Sequence, residues 1–139
     1  YSSDLDRAVD TAKIIAVYHK QTPIKFKKET REIYLGSYQW KKRSDIIGPK
    51  RPEDWESFEK LYNRAKRFFD WLLLKHSNDI LLLVWHYQFN KALVAVIIGK
   101  KPEDIEGMEK LHNTSITIFE IDAKKNYKIL LLNCKKHLD

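Results

Sequence analysis

The sequence is poor in cysteine and methionine, with one of each, Cys134 and Met108. A lone thiol excludes a disulfide framework, and its place near the end of an apolar, strand-like run suits a buried thiol in a reducing compartment. Glycine is scarce too, four in 139 residues, and no Gly-rich loop for cradling a phosphate is present. Neither GxSxG nor a Ser/His/Asp arrangement can be assembled. The five histidines, His19, His76, His86, His112 and His137, lack both i, i+4 pairing and accompanying cysteines, so no metal constellation is read. The longest apolar stretches, Ile80 to Trp85 and Ala92 to Ile98, fall far short of the ~20 residues that cross a bilayer. No internal repeat or low-complexity tract appears. Because the chain begins with Tyr1 and its only methionine is Met108, the natural start of translation is expected to lie outside it, and the lack of a signal peptide carries no weight.

What is present is the composition of a packed globular protein, 43% hydrophobic and 12% aromatic, of a length expected for one domain over residues 1–139. The net charge is +7 and the pI near 9.4. The basic residues form small scattered groups: Lys25-Phe-Lys27-Lys28, Lys41-Lys42-Arg43, Lys50-Arg51, Lys100-Lys101, Lys124-Lys125 and Lys135-Lys136. Such scatter argues for a solvated basic surface, or one that draws in an anionic substrate, rather than a nucleic-acid face.

Ser2-Ser3-Asp4 supplies candidate N-caps for an amphipathic helix carrying Leu5, Ala8, Val9, Ala12, Ile15 and Ala16 and ending near His19. Pro23 breaks it, Ile24 to Phe26 can form a short extended segment, and a loop with Glu32, Gly36 and several aromatics closes at Gly48-Pro49. Pro52-Glu53-Asp54 is expected to open the longest helix, whose stripe is Trp55, Phe58, Leu61, Tyr62, Ala65, Phe68, Phe69 and Leu72. Ile80 to Trp85 is apolar without alternation, the pattern of a strand covered on both faces. A buried helix from Lys91 to Gly99 follows, then strands Ser115 to Ile121 and Tyr127 to Asn133 around a turn, Asp122 to Asn126. Helices alternating with strands predict an α/β layer fold.

Three residues stand out chemically. His86 ends the most buried strand where the next helix begins, the place where open α/β sheets bind ligands and where a helix N-terminus favours an anion. The alternative is a histidine tucked against the sheet and satisfied by a carbonyl. Arg7, in the first turn of its helix, is mismatched to the helix dipole but suited to gripping an anion. Glu32 sits among apolar neighbours that could raise its pKa and make it a proton donor, with a surface salt bridge to Arg31 as the alternative.

Ser2-Ser3-Asp4-Leu5-Asp6-Arg7-Ala8 with Thr11-Ala12 resembles the Ser-Ser-x-Leu-x-Arg-Ala-x-x-Thr-Ala motif of the phosphoglycerate mutase-like, or histidine phosphatase, superfamily. Arg31-Glu32-Ile33-Tyr34-Leu35-Gly36 is similar to that family's Arg-Glu-x-x-Phe-Gly segment. Leu83-Val84-Trp85-His86 resembles its strand ending in the second catalytic histidine, Asn113 to Glu120 its Asn-x-Ser-x-Thr strand, and Leu132-Asn133 with His137-Leu138 its ending. The matches run in family order from residue 2 to 138. The family's opening strand with Arg-His-Gly, which bears the nucleophilic histidine, has no counterpart here, so the chain resembles the last two thirds of such a protein.

The resemblance implies a three-layer α/β sandwich with a mixed, mostly parallel sheet flanked by helices, lacking a strand from its middle. It implies a phosphomonoesterase or phosphotransferase, phosphatase rather than mutase because the Gly36 to Pro52 region is short, working through a phosphohistidine in the full-length parent. Arg7 and His86 would bind the phosphoryl oxygens, Glu32 would act as acid and then base, and Asn113 would position its strand near the site. Tyr87 would line the substrate pocket. No metal or organic cofactor is implied. The expected partner is a phosphorylated small molecule, not nucleic acid or membrane, in a cytoplasmic setting, and the chain alone is expected to bind without turnover. Trp85 and Tyr87-Gln88 replace the small residue and glycine that usually flank the histidine, and Ser37-Tyr38-Gln39-Trp40 replaces Trp-Glu-Gly. The two rings at 85 and 87 are expected to crowd or reshape the pocket. The other reading is a non-catalytic phospho-ligand-binding module of the same fold.

Overall fold

The computed structural model describes residues 1–42, 44, 46 and 50–138. The Gly48-Pro49 stop and Arg43 of the Lys41-Lys42-Arg43 run lie outside the described residues. Helices α1 (Asp6–Ala16), α2 (Phe58–Lys75) and α3 (Tyr87–Ile97) precede a hairpin of β1 (Ile116–Ile121) and β2 (Tyr127–Cys134).

The helix α2 begins later than the proline suggests. Ser57 is its N-cap and accepts the Lys60 N–H on its hydroxyl at 3.2 Å. Residues 52–56 are instead a turn tied to the preceding loop: Asp54 accepts from Ser37 N at 3.0 Å, and Glu56 N donates to the Tyr34 carbonyl at 2.9 Å. Leu61, Ala65, Phe68 and Leu72, spaced four, three and four apart, are the buried face. They meet Phe89, Ala92, Leu93 and Ala95 of α3 in the main core. Ala65, Ala92 and Ala95 have no exposed surface, and their small side chains let the two helices approach closely. The helix α3 closes as expected at Gly99, whose φ of 71° is in the left-handed region; Lys100 N reaches back to the Ala95 carbonyl at 2.9 Å.

Ser2 and Ser3 are fully buried, and they are not the caps the sequence suggests. The N-cap of α1 is Leu5, without a side-chain bond of its own; Ser3 Oγ accepts Leu5 N at 3.3 Å. Ser2 forms parallel bridges with Phe26 on one side and Val84 on the other. The bonds are Ser2 N to Lys25 O (3.0 Å), Lys27 N to Ser2 O (2.9 Å), Ser3 N to Val84 O (3.0 Å) and Val84 N to Tyr1 O (2.9 Å). Three short extended segments therefore lie side by side, with 1–3 in the middle.

This parallel pairing is thinner than the expected mostly parallel sheet. Among the described residues, regular strand pairing is confined to the antiparallel hairpin, and the parallel contacts are isolated bridges. Nor is the 80–85 segment covered on both faces. Leu81, Leu83 and Trp85 pack on the core, whereas Ile80 and Leu82 are exposed. Among the described residues no backbone group pairs with Leu83, whose N–H and C=O point away from Ser2 by the alternation of a strand.

The hairpin turn matches its sequence signal. Asp122 Oδ1 accepts from Lys124 N and Asn126 N at 2.8 and 2.9 Å, and Lys125, at φ 65°, completes the reversal. Thr117, Phe119 and Ile121 are half-buried and alternate with exposed neighbours. Lys125 also pairs with Asp70 of α2 at 3.0 Å. Among the described residues no helix is long and apolar enough to cross a membrane.

Candidate active site

His86 caps α3 in an extended conformation (φ −121°, ψ 163°) at the end of the segment bridged to Ser2. Its ring is buried, and among the described residues Nε2 has no hydrogen-bond partner, so the carbonyl-satisfied alternative does not describe that atom. Burial, reinforced by the positive charges of Arg7 and Arg64 and opposed by Asp4, lowers the imidazole pKa to about 4. The ring is neutral at physiological pH and presents an unspent ring nitrogen.

Glu32 answers the question of what anion occupies the start of α3. Its Oε1 accepts from Ile33 N at 2.9 Å and from Gln88 N at 3.0 Å, with Oε2 3.3 Å from the same Gln88 amide. The carboxylate thus sits on the free N–H groups of the helix that His86 caps. Burial nevertheless raises its pKa, and the backbone amides and the Arg7 charge only partly offset this. The salt bridge to Arg31 is not formed. Arg31 turns instead to Asp4, its Nε and Nη2 each 2.6 Å from a carboxylate oxygen, which holds the Asp4 carboxyl below its usual range.

Arg7 lies in the first turn of α1 and is exposed. Among the described residues its guanidinium has no hydrogen-bond or ion-pair partner, although its charge acts on both His86 and Glu32. The structure therefore brings Arg7, Glu32 and His86 together from three separate segments: a free cation, a carboxyl that holds its proton to higher pH, and a neutral imidazole.

The other expected site residues fall differently. Asn113 is in the exposed turn before β1 and, among the described residues, forms no hydrogen bond with these three; the residue organising the hairpin there is Asn133, which accepts from His112 N at 2.8 Å and donates to Lys110 O at 3.0 Å. Trp85 does not crowd the pocket: it turns into the core, edge-on to Phe68 (5.5 Å) and Phe89 (5.3 Å), with its indole N–H bonded to Asn90. Strand alternation puts it on the opposite face from its histidine neighbour. Tyr87 is half-buried with its ring 5.6 Å from the Lys91 ammonium, and Lys91, itself buried, donates to Glu106 O at 3.2 Å. Gln88 Oε1 is buried and has no hydrogen-bond partner among the described residues.

Sequence reading missed Arg64 and Glu56. Arg64 of α2 forms a two-pronged pair with Glu56 (Nε to Oε1 3.0 Å, Nη2 to Oε2 2.8 Å) and donates Nη1 to the carbonyls of Glu29 (2.8 Å) and Arg31 (2.7 Å). The signal was available, because Arg64, three residues after Leu61, borders the buried face of an amphipathic helix. Among the described residues no group of three or more His, Cys, Asp or Glu side chains is arranged to hold a metal ion.

Arg7, His86 and Glu32 thus come from three segments to the start of α3 in an α/β framework. The sequence profile of the histidine phosphatase superfamily (branch 1) matches residues 1–135, and the chain belongs to that superfamily. Among solved structures, YhfR of Bacillus stearothermophilus superposes with a TM-score of 0.88 at 24% identity, over 100% of this chain and 75% of that one. A mycobacterial glucosyl-3-phosphoglycerate phosphatase in complex with VO3 gives 0.80 at 20%, over 96% and 75%, and the alpha-ribazole phosphatase of Shigella flexneri 0.77 at 22%, over 95% and 71%. These likenesses establish the phosphoglycerate mutase-like α/β fold. No curated protein sequence matches the chain.

Proposed function

We propose that the chain is the larger part of a single-domain phosphomonoester hydrolase acting through a phosphohistidine on a phosphorylated small molecule, the nucleophilic histidine being supplied from outside these 139 residues. The observation that carries this reading is the convergence of unpartnered Arg7 with the free Nε2 of buried His86 beside the protonatable Glu32. Arg7 and His86 contact the phosphoryl oxygens and stabilise the charge that spreads over them as phosphorus moves from donor to nucleophile. Glu32 gives its proton to the leaving alkoxide, then takes one from the water that attacks the phosphohistidine. Tyr87 lines the entrance. No metal or organic cofactor enters these steps. The open edge at Leu83 supports a further strand pairing there, which would complete a mixed, mostly parallel sheet between two helical layers.

A second reading is a non-catalytic module of the same fold that binds a phosphorylated ligand without turnover, and one observation is compatible with it. Among the described residues no second histidine adjoins His86: His76 is held by Tyr1 (2.8 Å) and Asp79 (2.6 Å), and His19, His112 and His137 are exposed. Both readings are tested by assaying the full-length protein on a generic phosphomonoester beside His86→Ala and Arg7→Ala. Hydrolysis that falls in both variants supports the enzyme; equal rates in all three proteins remove the site assignment; phosphate binding without hydrolysis selects the binding module.

A further inference from the structure

Glu32 is held in place by contacts that it does not itself make. Arg64 reaches from α2 beneath the 29–34 segment and donates one nitrogen, Nη1, to two carbonyls, Glu29 O and Arg31 O, the second belonging to the residue just before Glu32. Its other two nitrogens are fixed by Glu56 in a two-pronged pair, and Glu56 in turn accepts Tyr34 N at 3.1 Å and donates its own N–H to Tyr34 O at 2.9 Å. The backbone is therefore gripped on both sides of Glu32. The guanidinium carbon of Arg64 lies over the Phe89 ring of α3, 5.2 Å from its centroid, one residue beyond Gln88, whose backbone N–H donates to the Glu32 carboxylate. Both partners are well shielded, with side chains 18% and 15% exposed, so their geometry is not that of a loose surface pair.

We infer that Arg64, braced by Glu56, is the positioning residue that sets Glu32 against the start of α3 and beside His86. The inference rests on the proposed acid and base role of Glu32. An arginine suits this place because only a planar fork offers donors in two directions while presenting a face to an aromatic ring. A lysine keeps the charge and loses the fork. The same cation faces His86, together with Arg7 from α1 and against Asp4, and helps keep that ring neutral, while Glu32 feels Arg7. Arg64 thus bears on both neighbours, on the backbone before Glu32 through its hydrogen bonds and on His86 through its charge.

The test follows the Glu32 carboxyl by NMR in the full-length protein labelled at glutamate side-chain carbons, with Glu32→Gln identifying its signal. Arg64→Lys and Arg64→Met are compared with Leu72→Ala, which damages the same helix away from the clamp. Loosening the 29–34 segment admits water, so the Glu32 titration midpoint moves down toward the ordinary carboxylate range in both Arg64 variants and stays at the wild-type value in Leu72→Ala. If Arg64→Met does not fold, Arg64→Lys decides. In the full-length protein, Arg64→Lys lowers kcat by about tenfold or more with KM little changed, because a misplaced acid costs the chemical step rather than binding. A folded Arg64 variant with the wild-type midpoint, an equal change in Leu72→Ala, or an unchanged kcat in an active parent overturns the assignment. A parent with no phosphatase activity removes the proposed function, while the NMR comparison still decides the clamp.

Discussion

Replacing His86 with glutamine removes a buried group whose protonation opposes folding, and the consequence is a change in the pH dependence of stability. In the folded chain the imidazole pKa is about 4, against 6.5 for the ordinary group. The lowered value means that the unfolded chain binds more protons than the folded one between these limits, so stability falls as the pH drops through that window. Above pH 6.5 the contribution is fully present; below about pH 4 it is gone. At 1.4 kcal/mol per pH unit the interval amounts to on the order of 3 kcal/mol, with His86 only 6% exposed and so little screened. Glu32 acts in the opposite sense, since its raised pKa contributes stability at low pH that is lost as the pH rises through the folded value. Subtracting the His86→Gln curve from wild type cancels that contribution to the extent that the two sites are independent. Urea unfolding of both proteins from pH 4 to 7.5 should give a difference curve that declines steadily as the pH is lowered from 6.5. A glutamine that leaves its own amide unsatisfied shifts the whole curve without tilting it. A flat difference curve refutes the burial argument.

Phe89→Ala, at a position of α3 with no exposed surface, packed against Phe68 and the Arg64 guanidinium of α2, is expected to cost about 3–5 kcal/mol, measured by denaturant midpoint. Gly36→Ala places a Cβ 2.2 Å from Asp54 Oδ1 and 2.8 Å from the Asp54 carbonyl carbon at a φ of 59°, so it should destabilise by more than about 1 kcal/mol in the same measurement; equal midpoints contradict the contact. Arg7→Ala in the full-length protein is expected to lower phosphomonoester hydrolysis by about a hundredfold without lowering the thermal midpoint, as suits an exposed arginine with no partner.

Much of the framework is legible in the sequence because local rules decide it. The spacing of Leu61, Ala65, Phe68 and Leu72 marks one helix face, Gly99 stops α3, and the Asp122 to Asn126 turn is built from its own side chains. What local rules miss is decided by partners far along the chain. Pro52-Glu53-Asp54 reads as a helix start, but Asp54 and Glu56 are bound to residues 34–37, and the cap falls to Ser57. Arg31 reads as the neighbour of Glu32, but it pairs with Asp4, 27 residues away. Ser2 and Ser3 read as caps and are instead the middle of three paired segments. The apolar run 80–85 reads as covered on both faces, yet Ile80 and Leu82 remain open.

The same division holds at the site. Arg7, Glu32 and His86 each carry a local oddity that sequence can register: a cation at a helix start, a carboxyl among apolar residues, an ionisable ring ending a buried run. Their convergence depends on the fold. Arg64 looks like one charge among many on α2 until its nitrogens are traced to the backbone around Glu32. Trp85, which reads as an obstruction beside His86, is removed from the pocket by the alternation of an extended backbone and fills the core with Phe68 and Phe89.

In the proposed phosphohistidine cycle Arg7 and His86 hold the phosphoryl oxygens while Glu32 moves the proton. This cycle is tested most directly by mixing full-length Glu32→Gln with a phosphomonoester whose leaving group departs without an acid, then measuring phosphoryl groups retained on the protein after rapid quenching. The account predicts that an acid-labile, alkali-stable phosphohistidine accumulates in the variant, because water attack has lost its base, and does not accumulate in wild type. Turnover at the wild-type rate in Glu32→Gln, or no phosphohistidine in either protein while hydrolysis proceeds, would contradict it.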